Sequence, residues 1–548
     1  MTLTRRTLKV HPADDLIVAL TDLPAGEPIS LDGSILLLRE AIRAKHKFTA
    51  RDFAQGERLT MYGVTVGTAV APIAAGSLVN VENLHHSSST YGEGNGDYQW
   101  QAPDVEAWKS RTFDGFVRAD GQVGTANYWL VVPLVFCQNR NIETLRDALQ
   151  DALGYSSESH YRQLAWDLAS EYRQPGAWAP VIERSETFAV NSRPFPQVDG
   201  VKFITHTAGC GGTREDALTL CRLLAGYIHH PNVAGATVLS LGCQNAQVSL
   251  LQEELAKLDP AGRTPVQYFE QQEYGSENTM MQAAIRQTFE GLAVANRCQR
   301  EPVPLSGLTI GVECGGSDGF SGLSANPLIG QVADRIVALG GRAILGEFPE
   351  LCGVEQDILD RCTDDDLRQR FKGLMQSYER HAQAVGASFD MNPSPGNIRD
   401  GLITDAMKSA GAARKGGTAP VADVLDYPQV ATKPGLNLLC TPGNDVESTT
   451  ALAGAGANLI LFSTGMGTPT GNPVVPVLKV SSNSETARRM ADIIDFDAGA
   501  IISGQEDMAV LAEQLLQLCS DTGSGKYISK AQRLGQDDFI PWKRGVSL

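Results

Sequence analysis

The sequence predicts an α/β protein: a small N-terminal β domain followed by α/β layered domains whose strands run largely parallel. Three observations predict it. A short phrase recurs near the N-terminus as DLPAGEPI (22–29), DFAQGERL (52–59) and PIAAGSLV (72–79). Farther along, apolar runs of strand length alternate with amphipathic helical stretches, and the loop after each run is rich in glycine and polar residues. The chain of 548 residues is also too long for one hydrophobic core.

Each copy of the phrase reads as an apolar residue, a tight turn at Gly26, Gly56 or Gly76, and the start of a strand. Glycine suits such turns because it adopts positive φ without steric cost. These turns define a β domain over 1–90. The stretch SSSTYGEGNGDYQWQAPD (87–104) has no periodicity and reads as part of a linker over 91–110. Two α/β domains are expected after it, over 111–300 and 301–548. In the first, VKFIT precedes HTAGCGGT and a helix, and ATVLSL precedes GCQN and a helix. In the second, LTIGV leads into VECGGSDGFSGLSANP, where Asn326 is expected as N-cap and Pro327 as the first helical residue. LNLLC then precedes TPGND, and ANLILF precedes STGMGTPTGNP. In open α/β sheets ligands collect beyond the carboxyl ends of strands, so these loops are expected to converge on a site.

A net charge of −17 argues against nucleic acid or anionic membranes as partners. No apolar run reaches the roughly 20 residues of a membrane span, and the N-terminus lacks the apolar core of a secretory signal. Ten dispersed cysteines fit a reduced, cytoplasmic setting better than a disulfide scaffold.

Four cysteines follow strands: Cys137, Cys210, Cys243 and Cys314. They read as packed thiols, as metal or cluster ligands, or as substrate contacts. His206 shares a glycine-rich loop with Cys210 and is a candidate functional imidazole, whereas His229 and His230, at a helix end, read as capping or surface residues. Glu313, Ser317 and Asp318 place two carboxylates and a hydroxyl in one loop, where Gly315 and Gly316 open backbone amides to an anion. In the β domain the available chemistry is His46 with Lys47, and Glu82 with His85 and His86; Glu82 and His85 could hold a divalent metal.

The motifs FDGFVRADGQVGTANYW, THTAGCGG, LGCQN, VECGGSDGFSGLSANP, NPSPGN, TPGNDVEST and FSTGMGTPTG, in this order, resemble the altronate and galactarate dehydratase family. The resemblance implies that the β domain is of the SAF type. It implies loss of water from a sugar acid, altronate before galactarate, to give a 2-keto-3-deoxy acid with help from iron(II) or manganese(II). AKHKF matches the family's GHK-like element, while VNVENLHH puts Asn80 and Glu82 where histidines are expected.

Removing the C2 proton of a sugar acid adds charge beside a carboxylate, which a divalent cation, backbone amides and Arg118 would stabilise. The acid–base candidates are His46, Lys47, His206, Glu313 and Asp318. Arg118, Asn127, Gly315, Gly316, Ser317, Thr464, Gly465 and Thr468 are expected to hold the substrate. Glu82, His85, Cys210, Cys243 and Cys314 are the candidate metal ligands. Two alternatives stay open: a hydro-lyase with an iron–sulfur cluster on three of the four strand-end cysteines, and a non-catalytic sugar-acid-binding protein. A small-molecule sugar acid is the expected partner, and a homo-oligomer is compatible with the sequence.

Overall fold

The computed structural model describes residues 5–31, 33–94, 97–155, 160–172 and 193–548; Asn95 and Gly96 of the linker stretch lie outside them. In the N-terminal region the three turn glycines have φ of 77°, 86° and 79°. Strand β1 (Leu16–Ala19), buried throughout, pairs antiparallel with β2 (Lys47–Thr49), with Ile17 opposite Phe48. This N-terminal domain does not close its core alone. Leu16, Val18, Leu59 and Ile73 pack against Phe320, Leu323, Ile403 and Met407 from the far end of the chain.

Four parallel strands follow: β3 (Tyr128–Pro133), β4 (Gly200–Phe203), β5 (Val233–Ser240) and β6 (Val266–Glu270), in the order β4-β3-β5-β6. Strand β3, YWLVVP, is buried at every position, as expected of a parallel strand covered on both faces. Helix α1 (Arg214–Ile228) starts at a capping box in which Thr213 and Asp216 satisfy each other's backbone N–H groups.

The largest sheet holds seven parallel strands: β7 (Thr309–Cys314), β8 (Arg342–Leu345), β9 (Val421–Leu425), β10 (Gly435–Leu439), β11 (Leu459–Thr464), β12 (Val477–Ser481) and β13 (Phe496–Asp497). Their order is β9-β10-β8-β7-β11-β12-β13. The chain leaves β7 toward β8 on one side and returns as β11 on the other, so the carboxyl ends of β7 and β11 border a topological switch point. Helices α2 (Ala325–Ala338), α3 (Asp405–Ala412) and α4 (Asp445–Gly454) supply the residues around it.

The two parallel sheets share one core. Leu220, Leu224 and Tyr227 of α1 pack with Leu452 of α4 and with Ile460 and Phe462 of β11. One local expectation is corrected: α2 begins at Ala325 after Ser324, so Asn326 is not its cap. The Asn326 side chain is used elsewhere, accepting from Ser463 Oγ and donating to Gly411 O. No helix among the described residues is long and apolar enough to cross a membrane.

Candidate active site at the switch point

Strand β7 delivers Cys314 to the switch point and then turns through Gly315 and Gly316. Beside it, Glu347 follows β8 at φ 60°, a left-handed conformation uncommon for a residue with a side chain. Thr441 Oγ1 accepts from the Glu347 N–H at 2.6 Å and helps to hold it there. Lys415 Nζ lies 2.7 Å from Glu347 Oε2 and 3.2 Å from Cys314 Sγ, and the Cys314 thiol donates to Glu350 Oε2 at 3.2 Å. Lys408, from α3, closes the chain of contacts at 2.5 Å from Glu350 Oε1. Two lysines, two glutamates and a thiol are thus wired together out of solvent.

Burial shifts these groups strongly. It raises Glu347 to about 7, with Lys415 opposing the shift. Burial and the nearby Glu347 hold Glu313 well above the ordinary carboxylate range. Glu313 accepts from Ser448 Oγ at 2.6 Å, and its Oε1 is buried with no partner among the described residues. Burial opposes the charge on Lys408, but Glu350 beside it keeps the ammonium pKa above its usual value.

A cavity of about 820 Å³ opens onto this centre, lined there by Cys314, Gly315, Gly316, Asn392, Lys408 and Asp445. Asp445 stands at the start of α4, and burial followed by the charge of Glu350 lifts it to about 6. A carboxylate poised near neutrality beside a fixed cation is what proton abstraction from carbon requires.

The structure brings together only some of the residues singled out from the sequence. Gly315, Gly316, Cys314 and Glu313 belong to the centre, and Gly316 O accepts from the N–H groups of Gly465 and Met466 at 3.0 and 3.1 Å. Thr464 Oγ1 accepts from the N–H groups of Gly467 and Thr468, which folds that loop on itself. Ser317 O accepts from Asn397 at 2.7 Å.

Asp318 is fully buried and engaged within the chain, accepting from Ser321, Ser482 and Asn483 and pairing with Lys45 at 2.9 Å. Lys47, also buried, donates to Gly401 O at 2.6 Å, and burial lowers it to about 7. His46 is half-buried beside Ala44 O, and burial lowers its pKa.

Arg118 and Asn127 lie at the amino ends of the strands, away from this centre. Arg118 donates to Pro231 O, Ala126 O and Asn127 Oδ1, and Asn127 donates to Gln197 O and Ala295 O. His206 is buried, with Nε2 on Pro133 O at 2.8 Å and Nδ1 accepting from Ala208 N, and burial lowers it to about 4. It is a neutral anchor for its loop. Glu82 and His85 are exposed, whereas Cys210 and Cys243 stand at the other parallel sheet.

Sequence reasoning passed over Glu347, Glu350, Lys408, Lys415 and Asp445. Asp445 had a signal, standing last in the strand-end loop TPGND. The lysines had none, since both come from a helical stretch without a motif.

Two sets of donors could hold a metal ion, each with its ligand atoms within 4.8 Å of one another: Cys314 with Glu347 and Glu350, and His86 with Cys352 and Asp405. The first borders the cavity, and the unpartnered Glu313 Oε1 beside it is an acceptor still available. A thiol with carboxylates suits a borderline divalent cation. The second set lies one helical turn away, since Asp405 and Lys408 share a face of α3.

Three family models match the chain in succession: the altronate/galactarate dehydratase SAF domain over 5–87, the D-galactarate dehydratase/altronate hydrolase second domain over 115–296, and the D-galactarate/altronate dehydratase C-terminal domain over 305–547. Altronate dehydratase of Escherichia coli (strain K12) is 34% identical over 99% of both chains, and that of Bacillus subtilis (strain 168) is 30% identical over 99% of both. Galactarate dehydratase (L-threo-forming) of E. coli is 28% identical over 95% of this chain and 93% of its own. Fold, centre and relatives together define a carbon–oxygen lyase of the sugar-acid hydro-lyase class. The chain belongs to the altronate/galactarate dehydratase family.

Proposed function

We propose that this enzyme dehydrates altronate to a 2-keto-3-deoxy acid in the cavity beside Cys314, with the acid–base work done by Asp445. The observation that carries this reading is the juxtaposition of Lys408 and Asp445 on the cavity wall, with the Cys314–Glu347–Glu350–Lys415 cluster directly behind them. Lys408, kept cationic by Glu350, pairs with the substrate carboxylate, and the Gly315–Gly316 backbone allows close approach. The Asp445 carboxylate removes the C2 proton. The same proton then passes to the C3 hydroxyl, which leaves as water, and the enol that remains becomes the ketone. One base thus serves both steps, and no proton is gained or lost overall.

A divalent ion held by Cys314, Glu347 and Glu350 would supply electrostatic stabilisation of the charge that develops on the substrate carboxylate. The lysines perform part of the same task from within the chain. The greater similarity to altronate dehydratases favours altronate over galactarate.

Incubation with altronate, galactarate and related acids, with and without iron(II) or manganese(II), tests this by the appearance of 2-keto-3-deoxy products. Metal-dependent product from altronate is expected. Turnover of galactarate alone would reassign the substrate, and no product from any acid would overturn the reading.

A further inference from the structure

Of ten cysteines, three are exposed, and all three stand at the carboxyl ends of adjacent strands: Cys137 after β3, Cys210 after β4 and Cys243 after β5. Free cysteine is among the most buried of residue types, so three exposed thiols at neighbouring strand ends call for a cause. The fourth strand-end cysteine, Cys314, is buried in the other sheet and belongs to the centre already described.

Two of the three loops are built to one plan. Cys137-Gln138-Asn139 and Cys243-Gln244-Asn245 repeat the same triplet. In each, the glutamine is buried and points back at the strand ends: Gln138 donates to Gln271 Oε1 at 2.6 Å, and Gln244 donates to Ser240 Oγ at 2.7 Å. The asparagines clamp the intervening loop at its two ends. Asn139 donates to His206 O at 2.9 Å, and Asn245 donates to Gly212 O at 3.2 Å.

Between the clamps, Phe136 N donates to Ala208 O and Ala246 N to Gly209 O, both at 3.1 Å. A side chain at Gly209 would start 2.1 Å from Leu134 O, so only glycine lets the loop lie this close. The result is a rim in which the Cys210 loop is tied to the Cys137 loop on one side and to the Cys243 loop on the other.

We infer that this rim is a three-thiolate site for an iron–sulfur cluster. Strands spaced about 4.8 Å apart spread three successive strand ends over a span wider than one ion. A single zinc, with Zn–S bonds of about 2.3 Å, needs its sulfurs under about 4 Å apart. These thiols are not among the sets of donors lying within 4.8 Å of one another. A multi-iron cluster takes thiols set farther apart than one ion does, and each thiol loses its proton on ligating iron. Three protein ligands leave one iron of a four-iron cluster open.

A cavity of about 270 Å³ lies against Cys210, and its walls include Trp542 and Lys543, which also line the cavity beside Cys314. This inference concerns a resident group and does not depend on the choice of substrate.

The test is anaerobic reconstitution of the full chain with iron(II), sulfide and a thiol reductant, followed by desalting and assay of iron, acid-labile sulfide and visible absorbance. The expected result is about four irons and four sulfides per chain with broad brown absorbance. Cys137→Ser, Cys210→Ser and Cys243→Ser should each lose it, while Cys519→Ala, a change in a buried helix, should retain it. Circular dichroism of the apo-proteins checks that the variants are folded. Iron without sulfide in the wild type, one tightly held zinc in its place, or equal iron and sulfide in the Cys137→Ser/Cys210→Ser/Cys243→Ser triple variant would each overturn the inference.

Discussion

Lys415 Nζ stands 2.7 Å from Glu347 Oε2 with both side chains sealed from solvent. Removing one partner of such a pair strands the other, at a cost of about 3–5 kcal/mol. Lys415→Met is therefore expected to destabilise the protein by about that amount in urea unfolding, and the Lys415→Met/Glu347→Gln double variant by less than the sum of the single changes. Additive costs would mean that the two groups do not depend on each other.

Lys45 reaches out of the SAF domain to Asp318 at 2.9 Å and Asp400 at 3.0 Å. Asp318 in turn fixes Ser482 and Asn483, and Asn483 donates to Gly465 O. Lys45→Met should cost about 1–3 kcal/mol by leaving Asp318 buried without its cation. It should also raise KM more than it lowers kcat, because the loops it braces border the cavity without supplying the proposed base. An unchanged KM would separate the SAF contact from the site.

Gly465 leaves no room for a methyl group: a Cβ there would lie 2.3 Å from Asp318 Cγ. Gly465→Ala is expected to destabilise by about 1–3 kcal/mol through overpacking and to depress activity with it. Unfolding midpoints and initial rates measured together check this.

Two histidines set an acid limit on stability. His206 and His230 are both buried, each with Nε2 on a backbone carbonyl oxygen at 2.8 Å, and burial lowers each to about 4 from 6.5. The unfolded chain binds these two protons between pH 6.5 and 4 and the folded chain does not, so stability falls as pH drops through that window. His230→Gln should flatten the fall by about one proton's worth of slope. A slope unchanged in the variant would show that His230 does not titrate in this way.

The architecture was legible in the sequence because its signals are local. Glycine turns ahead of several strands of the SAF domain, and apolar runs ending in polar glycine-rich loops, report backbone conformation directly. Cys314, Gly315 and Gly316 were found for that reason. Lys408 and Lys415 were not, because a lysine on a helix reads as solvated until the fold buries it against Glu347 and Glu350.

His206 illustrates the converse. A histidine in a glycine-rich loop looks catalytic, yet tight packing of that loop also needs an anchor with both ring nitrogens satisfied. Arg118 and Asn127 show that sequence marks a strand end more readily than it tells which end borders the cavity. His230, expected as a capping or surface residue, is buried because Ala457 and Asn232 close over it.

The most direct test of the central claim is kcat/KM for altronate in Asp445→Asn and Lys408→Met, with circular dichroism confirming the fold. Asp445→Asn should lose about 10³-fold, chiefly in kcat, and Lys408→Met should lose comparably with a higher KM. Wild-type kcat/KM in Asp445→Asn would contradict the account, because the proton would then be moving through another group.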